Sequence, residues 1–320
     1  MISVALCTYN GEKYIGEQLQ SIITQTVTPD EIIVCDDCSQ DNTVSIVRAA
    51  LNNYKGHWQV VCNQNNLGYR KNFEKAIGLC HGDLIFLSDQ DDVWNMNKIE
   101  VMEAAFEDPE VILAFHDAEL VDEKLRRLAV SFWETMHFDS DLFQQGDFRH
   151  IFAHNAMQGA ASCFRKQLYQ QAIPFSEWGV HDEWLLLIGL CTGKVIPVKK
   201  TLLQYRQAQN AIGGIPMTMT EKISKWGLSI REAIQEHAIY LKKRAALYGD
   251  LVTHFDNIEP KNFDFYNSIS LFEDFLQKRL YAVMYGENYP QRGAYSVWYL
   301  KQDALKQCIK DHLTKLRMWF

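Results

Sequence analysis

Short apolar runs alternate with stretches of helical spacing along the first part of the chain. Apolar side chains recur at the spacing of one helix face after the first run, as Ile15, Leu19 and Ile22 do. The apolar runs predict four strands, over residues 2–7, 31–35, 58–62 and 84–87. Strands that alternate with helices through short connections form crossover units, so this pattern predicts a parallel sheet.

The pattern is less regular beyond residue 88. The elements predicted there are a helix over 97–106, a strand over 111–115, loops with short helices over 118–157, a strand over 160–164, a helix over 181–191 and one or two strands over 194–206. Gly213 and Gly214 indicate a linker. After it, helical spacing without strand signals covers residues 220–248, 268–285 and 296–316. We therefore expect an α/β domain over residues 1–214 and a helical region over 215–320.

Composition and charge exclude some classes of function. The net charge of −8 and the pI of about 5.7 argue against a broad nucleic-acid-binding surface. Residues 184–191, one of the longest apolar stretches, fall far short of the ~18 residues of a membrane span. The first residues lack the basic start of a signal peptide. These features predict a cytoplasmic protein with no nucleic-acid partner.

An acidic cluster follows the fourth predicted strand directly. Asp89, Asp91 and Asp92 bring three carboxylates into four positions, where they repel each other unless a cation is present. Carboxylate oxygens suit hard divalent ions, and Mg²⁺ is usually held by one or two carboxylates together with substrate phosphates. The cluster therefore predicts a metal site at a strand end, where ligands bind in open α/β sheets. The alternative is an acidic loop in which Asp92 caps the next helix.

Two other predicted strands end in residues that suit a nucleotide. Residues 8–10 follow the first strand with an aromatic ring and polar groups, and Asp36 and Asp37 follow the second. Adjacent parallel strands would bring these ends next to Asp89 and Asp91, which predicts a site for a nucleoside diphosphate. Neither a Gly-x-Gly-x-x-Gly turn nor a P-loop motif is present, so the sequence supports neither of those nucleotide-binding modes.

These stretches together resemble glycosyltransferase family 2, whose members have the nucleotide-sugar-binding GT-A fold. The similarity is greatest to the bacterial branch that includes rhamnosyltransferases of surface polysaccharide synthesis, and it extends to about Gly214. The matching residues are 8–12, 36–43, 66–68 with Asn72, 88–94, Gly159 and 181–184. The resemblance implies a GT-A domain with a mainly parallel sheet, followed by the helical C-terminal region.

The resemblance also implies roles for individual residues. Those expected at the nucleotide sugar are Thr8, Tyr9, Asn10, Glu12, Asp36, Asp37, Arg70, Asn72, Asp89 and Gln90. Asp89 and Asp91 match the Asp-x-Asp signature that binds Mg²⁺ or Mn²⁺. Asp182 falls where the family keeps its catalytic base. Glu183 is a rival base, because relatives carry an acidic residue before that Asp, whereas this chain has His181 there and Glu183 after it.

The implied reaction is inverting transfer of a single sugar, which includes rhamnosyl transfer. The donor would be a UDP- or dTDP-sugar, and the acceptor a hydroxyl of a growing surface polysaccharide or lipid-linked glycan. Two family features are absent. The His that many relatives carry after the equivalent of residues 205–206 is replaced within 207–210, and the Gln-x-x-Arg-Trp motif of processive synthases is missing. The second absence favours transfer of one sugar at a time.

The sequence is also compatible with two other functions, and its last residues suggest contact with a membrane. A haloacid-dehalogenase-like phosphohydrolase would use Asp89 as its nucleophile, and a non-catalytic subunit would bind the nucleotide sugar without transferring it. Residues 298–320 combine basic and aromatic side chains. They suit peripheral contact with an anionic membrane at the inner face of the plasma membrane, or a solvated helix that packs its aromatic side chains on the protein body.

Overall fold

One nine-stranded sheet forms the centre of the part of the chain that the structure describes. The computed structural model describes residues 1–207, 230–255, 260 and 262–285. The strands are β1 (Ile2–Thr8), β2 (Glu31–Asp36), β3 (His57–Cys62), β4 (Leu84–Ser88), β5 (Val93–Trp94), β6 (Val111–Val121), β7 (Arg127–Ala129), β8 (Ser162–Arg165) and β9 (Lys194–Arg206). Their order is β3-β2-β1-β4-β8-β6-β9-β5, and β7 pairs with β6.

The predicted alternation of strands and helices is confirmed in the first half of the chain. The helices are α1 (Ile15–Ile23), α2 (Thr43–Leu51), α3 (Tyr69–Leu79), α4 (Lys98–Ala104), α5 (Phe132–Thr135), α6 (Ser140–Gln144), α7 (Arg149–Ala153), α8 (Lys166–Ala172), α9 (His181–Thr192), α10 (Ile230–His254) and α11 (Phe263–Tyr285). A short 3₁₀ turn spans Gly159–Ala161. Strands β1, β2 and β4 are buried along their whole length because they are central in the sheet, which explains why their sequences are continuously apolar or nearly so.

The sheet is mixed, so the prediction of a mainly parallel sheet is wrong in this respect. Strands β3, β2, β1 and β4 are parallel neighbours, and β6 is parallel to β9. The pairings β4–β8, β8–β6, β6–β7 and β5–β9 are antiparallel. The apolar pattern marks β8 as a strand but carries no information on its direction, which depends on how the preceding loop-rich segment returns the chain to the sheet.

Strand β6 is longer than predicted. The apolar run ends at Phe115, but pairing with β9 continues through the polar residues His116 and Asp117 as far as Val121. The pairing of the two strands is irregular near these residues. Backbone pairing with a distant strand, rather than the local apolar pattern, sets the length of β6.

Helices make up most of the later described segments, as predicted. Helices α10 and α11 confirm the helical spacing within 230–248 and 268–285, while the predicted linker and the predicted helix over 296–316 lie outside the described residues. The predicted domain boundary at 214 lies there too, and it stays a prediction. Residues Leu247–Ser270 belong to the same compact unit as the sheet. No described helix is long and apolar enough to cross a membrane.

A buried carboxylate ties together the edge of the sheet at which the parallel strands begin. Glu31, at the start of β2, accepts hydrogen bonds from the Ser3 hydroxyl and from the His81 amide at 2.7 Å. Its other oxygen lies 2.7 Å from Nδ1 of His81 and 3.1 Å from Nδ1 of His57. Burial acts to raise the pKa of Glu31, but these hydrogen bonds outweigh it and hold the pKa below its ordinary value.

We predict that Glu31→Gln lowers the free energy of unfolding by about 1.5–3 kcal/mol at neutral pH, because hydrogen bonds to a buried charged group are lost. Since the pKa of Glu31 is depressed in the folded state, its contribution is complete above about 4.5 and is lost as the pH falls below that value. Denaturant unfolding across this range measures the effect. The exposed Glu107 provides the control variant, Glu107→Gln. A stability difference from the wild type that stays constant down to pH 3 would contradict the prediction.

Candidate active site

The structure brings the three predicted strand ends together. Strand β1 lies between β2 and β4, and all three run parallel. Thr8 pairs with Asp36 across β1 and β2, and Leu6 pairs with Ser88 across β1 and β4. Residues that follow these strands therefore emerge at one edge of the sheet, as the sequence predicted.

The acidic residues after β2 are occupied by partners within the protein. Asp36 accepts hydrogen bonds from the hydroxyls of Thr8 at 2.7 Å and Ser39 at 2.5 Å, and from the Ser39 amide at 2.9 Å. Its side chain is buried, as is that of Asp37. Both belonged to the predicted nucleotide-binding set, and the structure shows Asp36 fixing the turn after β2.

Asp37 organises the loop that leads into α3. Its carboxylate accepts from the backbone amides of Leu67 and Gly68, each at 2.8 Å, and from the Asn63 side chain at 2.8 Å. Asn72, also predicted at the nucleotide, is buried and donates to the Cys35 carbonyl at 2.8 Å while its oxygen accepts from Asn63. Asp37 and Asn72 therefore hold the loop in place through contacts within the protein.

The turn after β1 is fixed to the end of β4 by a side-chain amide. Oε1 of Gln90 accepts from the Tyr9 amide at 2.8 Å, and its Nε2 donates to the Tyr9 carbonyl at 3.0 Å. Gly11 leaves room for this amide, since a Cβ at that position would clash with Oε1 of Gln90. Tyr9 itself is 49% exposed, so its ring is accessible to a ligand.

Asn10 and Glu12 attach the same turn to the start of α2. Asn10 adopts a positive φ of 49°, and its side-chain oxygen accepts from the Gln40 amide at 2.8 Å. The Glu12 carboxylate accepts from the amide and the side chain of Asn42, at 3.0 and 2.9 Å. These two predicted site residues shape the turn that presents Tyr9.

Asp89 and Asp91 differ from the acidic residues after β2. Both are half-buried at the end of β4, and neither carboxylate accepts a hydrogen bond from another residue within the part of the chain that the structure describes. Burial raises the pKa of Asp89 to about 7, with further contributions from the nearby charges of Asp91 and Asp182. The pKa of Asp91 is raised by burial as well. The pair is therefore partly removed from water without donors to compensate for the loss of hydration.

Asp92 does not cap the next helix, which was the alternative interpretation of the acidic cluster, but binds the backbone of β9. Its Oδ1 accepts from the backbone amide of Arg206 at 3.1 Å, and it is followed by the short strand β5, whereas the next helix begins only at Lys98. Its Oδ2 is buried and has no partner among the described residues. Burial, with the charges of Asp91 and Asp89, holds the pKa of Asp92 well above its ordinary value.

The donor set at this edge fits a hard divalent cation that also binds phosphate. No group of three or more His, Cys, Asp or Glu side chains among residues 1–207, 230–255, 260 and 262–285 forms a metal site by itself. The described residues offer a cation two carboxylates that accept no hydrogen bond from another described residue, those of Asp89 and Asp91. That number matches Mg²⁺, which takes one or two carboxylates and completes its shell with water and phosphate oxygens.

Asp182 is held in a fixed orientation in the same site. Its two oxygens accept from the amides of Gly159 at 2.8 Å and Glu183 at 2.6 Å, and from the Asn155 side chain at 3.0 Å. Burial nevertheless raises its pKa to about 7. A carboxyl group with a pKa near the working pH is suited to take up a proton. Helix α9 begins at His181, and the Asp182 carboxylate joins that helix start to the 3₁₀ turn.

The residues on either side of Asp182 are both buried. His181 is buried, its ring stacks on Phe73 with 4.0 Å between centroids, and neither ring nitrogen has a hydrogen-bond partner among the described residues. Burial, with the charge of Arg70, lowers its pKa to about 3, so the ring is neutral. Glu183, the rival base, is 7% exposed and less accessible than the half-buried Asp182.

Arg70 lies at the turn before α9. Its guanidinium donates to the carbonyls of Ser176 at 3.1 Å and Gly179 at 3.3 Å. These contacts hold the Arg70 side chain against the turn that precedes Asp182, and its expected role at the nucleotide stays a prediction.

Two residues of this site were missed in the sequence. Lys98 is fully buried, donates to the Ala160 carbonyl in the 3₁₀ turn and lies 3.7 Å above the Trp94 ring. Burial lowers its pKa to about 7. Tyr205 is half-buried near the end of β9, and burial raises its pKa, with the charges of nearby carboxylates including Asp92 and Asp89. A lysine in a helical pattern is normally assigned to the surface, and nothing in the sequence links residue 205 to residues 89–92.

Comparisons with known proteins agree with the fold. The sequence profile of the family described as Glycosyl transferase family 2 matches residues 3–164, half of the chain. The Shigella flexneri protein named dTDP-rhamnosyl transferase RfbG is 39% identical over 99 residues, 30% of this chain and 34% of that protein. An uncharacterized Mycobacterium tuberculosis protein is 24% identical over 214 residues, 66% of this chain and 60% of that protein. The chain thus spans less than two thirds of the length of this relative.

Solved structures show the same fold. The crystal structure of Staphylococcus aureus TarS 1–349 in complex with UDP has a TM-score of 0.56 and 19% identity, with 87% of this chain and 91% of that chain covered. The mannosyltransferase PcManGT from Pyrobaculum calidifontis, in complex with GDP-Man and Mn²⁺, has a TM-score of 0.54 and 16% identity over 99% of this chain and 83% of that one. The predicted GT-A fold is confirmed, and the chain belongs to glycosyl transferase family 2.

Proposed function

We propose that this protein transfers a single sugar from a nucleotide-sugar donor to an acceptor hydroxyl, with inversion at the anomeric carbon and with a divalent cation. The main support is a difference in hydrogen bonding between the carboxylates of this site. Asp89 and Asp91 have no donors from other described residues, whereas Asp182 is oriented by three donors. Asp182 is hydrogen-bonded to Gly159 in the 3₁₀ turn, and this turn packs against β4, whose end carries Asp89 and Asp91.

The donor's diphosphate is expected at Asp89 and Asp91. A nucleoside diphosphate leaves with developing negative charge, and Mg²⁺ or Mn²⁺ stabilises that charge when bound. The two carboxylates would hold the cation, and the exposed ring of Tyr9 lies at the same edge for the base or sugar. The complexes of TarS with UDP and of PcManGT with GDP-Man and Mn²⁺ support this arrangement.

Asp182 is proposed as the catalytic base. A sugar hydroxyl is a weak nucleophile, so its proton must leave as it attacks. In a single displacement, the acceptor oxygen bonds to the anomeric carbon, the bond from that carbon to the phosphate oxygen breaks, and the hydroxyl proton passes to Asp182. The amides of Gly159 and Glu183 keep the carboxylate directed while burial keeps its pKa near 7.

The substrates proposed are a UDP- or dTDP-sugar and a hydroxyl of a surface polysaccharide or lipid-linked glycan. Rhamnosyl transfer is supported by the 39% identity over 99 residues to a protein named dTDP-rhamnosyl transferase. We also propose a cytoplasmic location with peripheral contact at the inner face of the plasma membrane, although the basic and aromatic residues that suggested this contact lie outside the described residues. Membership of family 2 argues against the phosphohydrolase alternative, and the non-catalytic alternative is separated from ours by a transfer assay.

The metal role predicts that Asp91→Ala abolishes transfer and weakens nucleoside diphosphate binding, because one of two carboxylates for the cation is lost. Excess EDTA should have the same effect on the wild type, and added Mn²⁺ should reverse it. Acceptor-dependent release of nucleoside diphosphate is the assay. The exposed Asp83, at the opposite end of β4, provides a control in Asp83→Asn. Full wild-type activity in excess EDTA would exclude the metal.

The base role predicts that Asp182→Asn lowers kcat by ~10²–10⁴ with little change in donor affinity. Asn keeps the size and can still accept hydrogen bonds from neighbouring amides, but it cannot take up the proton. Glu183→Gln should have a milder effect, since one step along a helix turns the side chain by ~100°. Transfer assays and donor calorimetry measure the two effects separately. An inactive Glu183→Gln beside an active Asp182→Asn would reverse the two roles.

A further inference from the structure

Arg206 is a buried cation whose contacts converge on the metal-binding segment. Its side chain, at the end of β9, is only 2% exposed. Nε donates to the Asp91 carbonyl at 2.6 Å, Nη1 to the Glu123 carbonyl at 2.7 Å, and Nη2 to the Glu17 carboxylate at 2.7 Å. The guanidinium also lies 4.4 Å from the centroid of the Tyr14 ring.

The backbone of Arg206 takes part in the same contact. The backbone amide of Arg206 donates to Oδ1 of Asp92 at 3.1 Å. Its side chain donates to the carbonyl of Asp91, the residue before Asp92. Two successive residues of the acidic segment are therefore fixed by one residue of β9. A planar guanidinium holds several acceptors in a set geometry, which a flexible ammonium group cannot reproduce.

Helix α1 holds the two ends of the segment and also supplies the charged partner of Arg206. The side-chain amide of Gln18 is hydrogen-bonded to the Ser88 hydroxyl at 2.7 Å, and the Ser21 hydroxyl accepts from the Trp94 amide at 3.0 Å. Glu17, on the same helix, forms the ion pair with Arg206. Helix α1 and Arg206 together leave the backbone of residues 88–94 little freedom.

An arginine that binds carbonyl groups can serve the fold alone, and the half-buried Arg165 is such a residue. Arg165 donates to the carbonyls of Val111 at 2.8 Å, Phe106 at 2.8 Å and Asp108 at 3.3 Å. Its guanidinium lies 5.4 Å from the Phe106 ring. Arg165 pairs with Leu84, at the opposite end of β4 from the acidic segment. The two arginines have similar contacts, but only Arg206 touches residues that carry the candidate ligands.

We propose that Arg206 is a positioning residue that fixes the backbone of Asp91 and Asp92, so that the Asp91 carboxylate is directed at the cation before the cation binds. This inference rests on the proposed metal-dependent function. Removing an outer partner that orients a metal ligand typically costs 10–100-fold in metal affinity. Glu17 acts only through Arg206, so its loss should have a smaller effect in the same direction.

The test is Mn²⁺ binding, followed by the loss of the free Mn²⁺ electron paramagnetic resonance signal, with UDP, dTDP and GDP added in turn. We compare Arg206→Lys, Arg206→Gln, Glu17→Gln and the control Arg165→Lys, and measure thermal unfolding of each. We expect Arg206→Lys to weaken Mn²⁺ binding at least ~10-fold, in keeping with lost support for a metal ligand. Glu17→Gln should give a smaller loss, and Arg165→Lys should lower the melting temperature without changing Mn²⁺ affinity.

Two results would overturn different parts of the account. If Arg206→Lys is less stable but binds Mn²⁺ as the wild type does, Arg206 serves only the fold and this inference is wrong. The same conclusion follows if Arg165→Lys weakens Mn²⁺ binding as much as Arg206→Lys does. If the wild type binds no Mn²⁺ with any of the three nucleotides, the proposed metal-dependent function itself fails. Should Arg206→Gln not fold, Arg206→Lys and Glu17→Gln still decide the question.

Discussion

Removing carboxylates from water at the ends of buried parallel strands is the constraint on which this site depends. A buried charge is costly unless hydrogen bonds or an opposite charge compensate for the lost hydration. After β2 the protein supplies that compensation, since Asp36 and Asp37 each accept three hydrogen bonds from within the chain. After β4 the carboxylates of Asp89 and Asp91 accept no hydrogen bond from another described residue, although the charges of Lys98 and Arg206 act on them. The raised pKa of Asp89, about 7, is the physical sign of that difference.

The rest of the site can be understood from this contrast. The residues around the segment stabilise its backbone, through Arg206 and helix α1, and donate no hydrogen bond to the carboxylates of Asp89 and Asp91 within the described part of the chain. Lys98, on the other side, donates to the carbonyl of Ala160, and the amide of neighbouring Gly159 holds the Asp182 carboxylate. A short path of hydrogen bonds and covalent bonds thus joins buried Lys98 to the proposed base. A site that is fixed before substrate binds loses less of its binding energy to ordering.

The sequence predicted the elements that depend on local pattern and failed where distant partners decide. The first four strands and three helices follow from apolar spacing, and the chemistry of Asp89, Asp91 and Asp182 follows from residue type and resemblance. The direction of β8 and the length of β6 depend on pairing with strands far along the chain. The hydrogen bonds that Asp37 accepts from the amides of Leu67 and Gly68 join residues 30 and 31 positions apart, so the sequence pattern does not show them. Arg206 lies 115 positions from Asp91, beyond any local signal.

We propose that Asp89 and Asp91 lack hydrogen-bond donors from other described residues so that a cation can bind between them. Because burial raises the pKa of Asp89 to about 7, we expect binding of Mn²⁺ to displace protons near that pH. Calorimetric titration of Mn²⁺ with nucleoside diphosphate, repeated in buffers of different ionisation enthalpy, counts those protons. We expect release near pH 6.5 that disappears by pH 9 and that persists in Asp182→Asn. Binding of Mn²⁺ with no proton release at pH 6.5 would contradict the account.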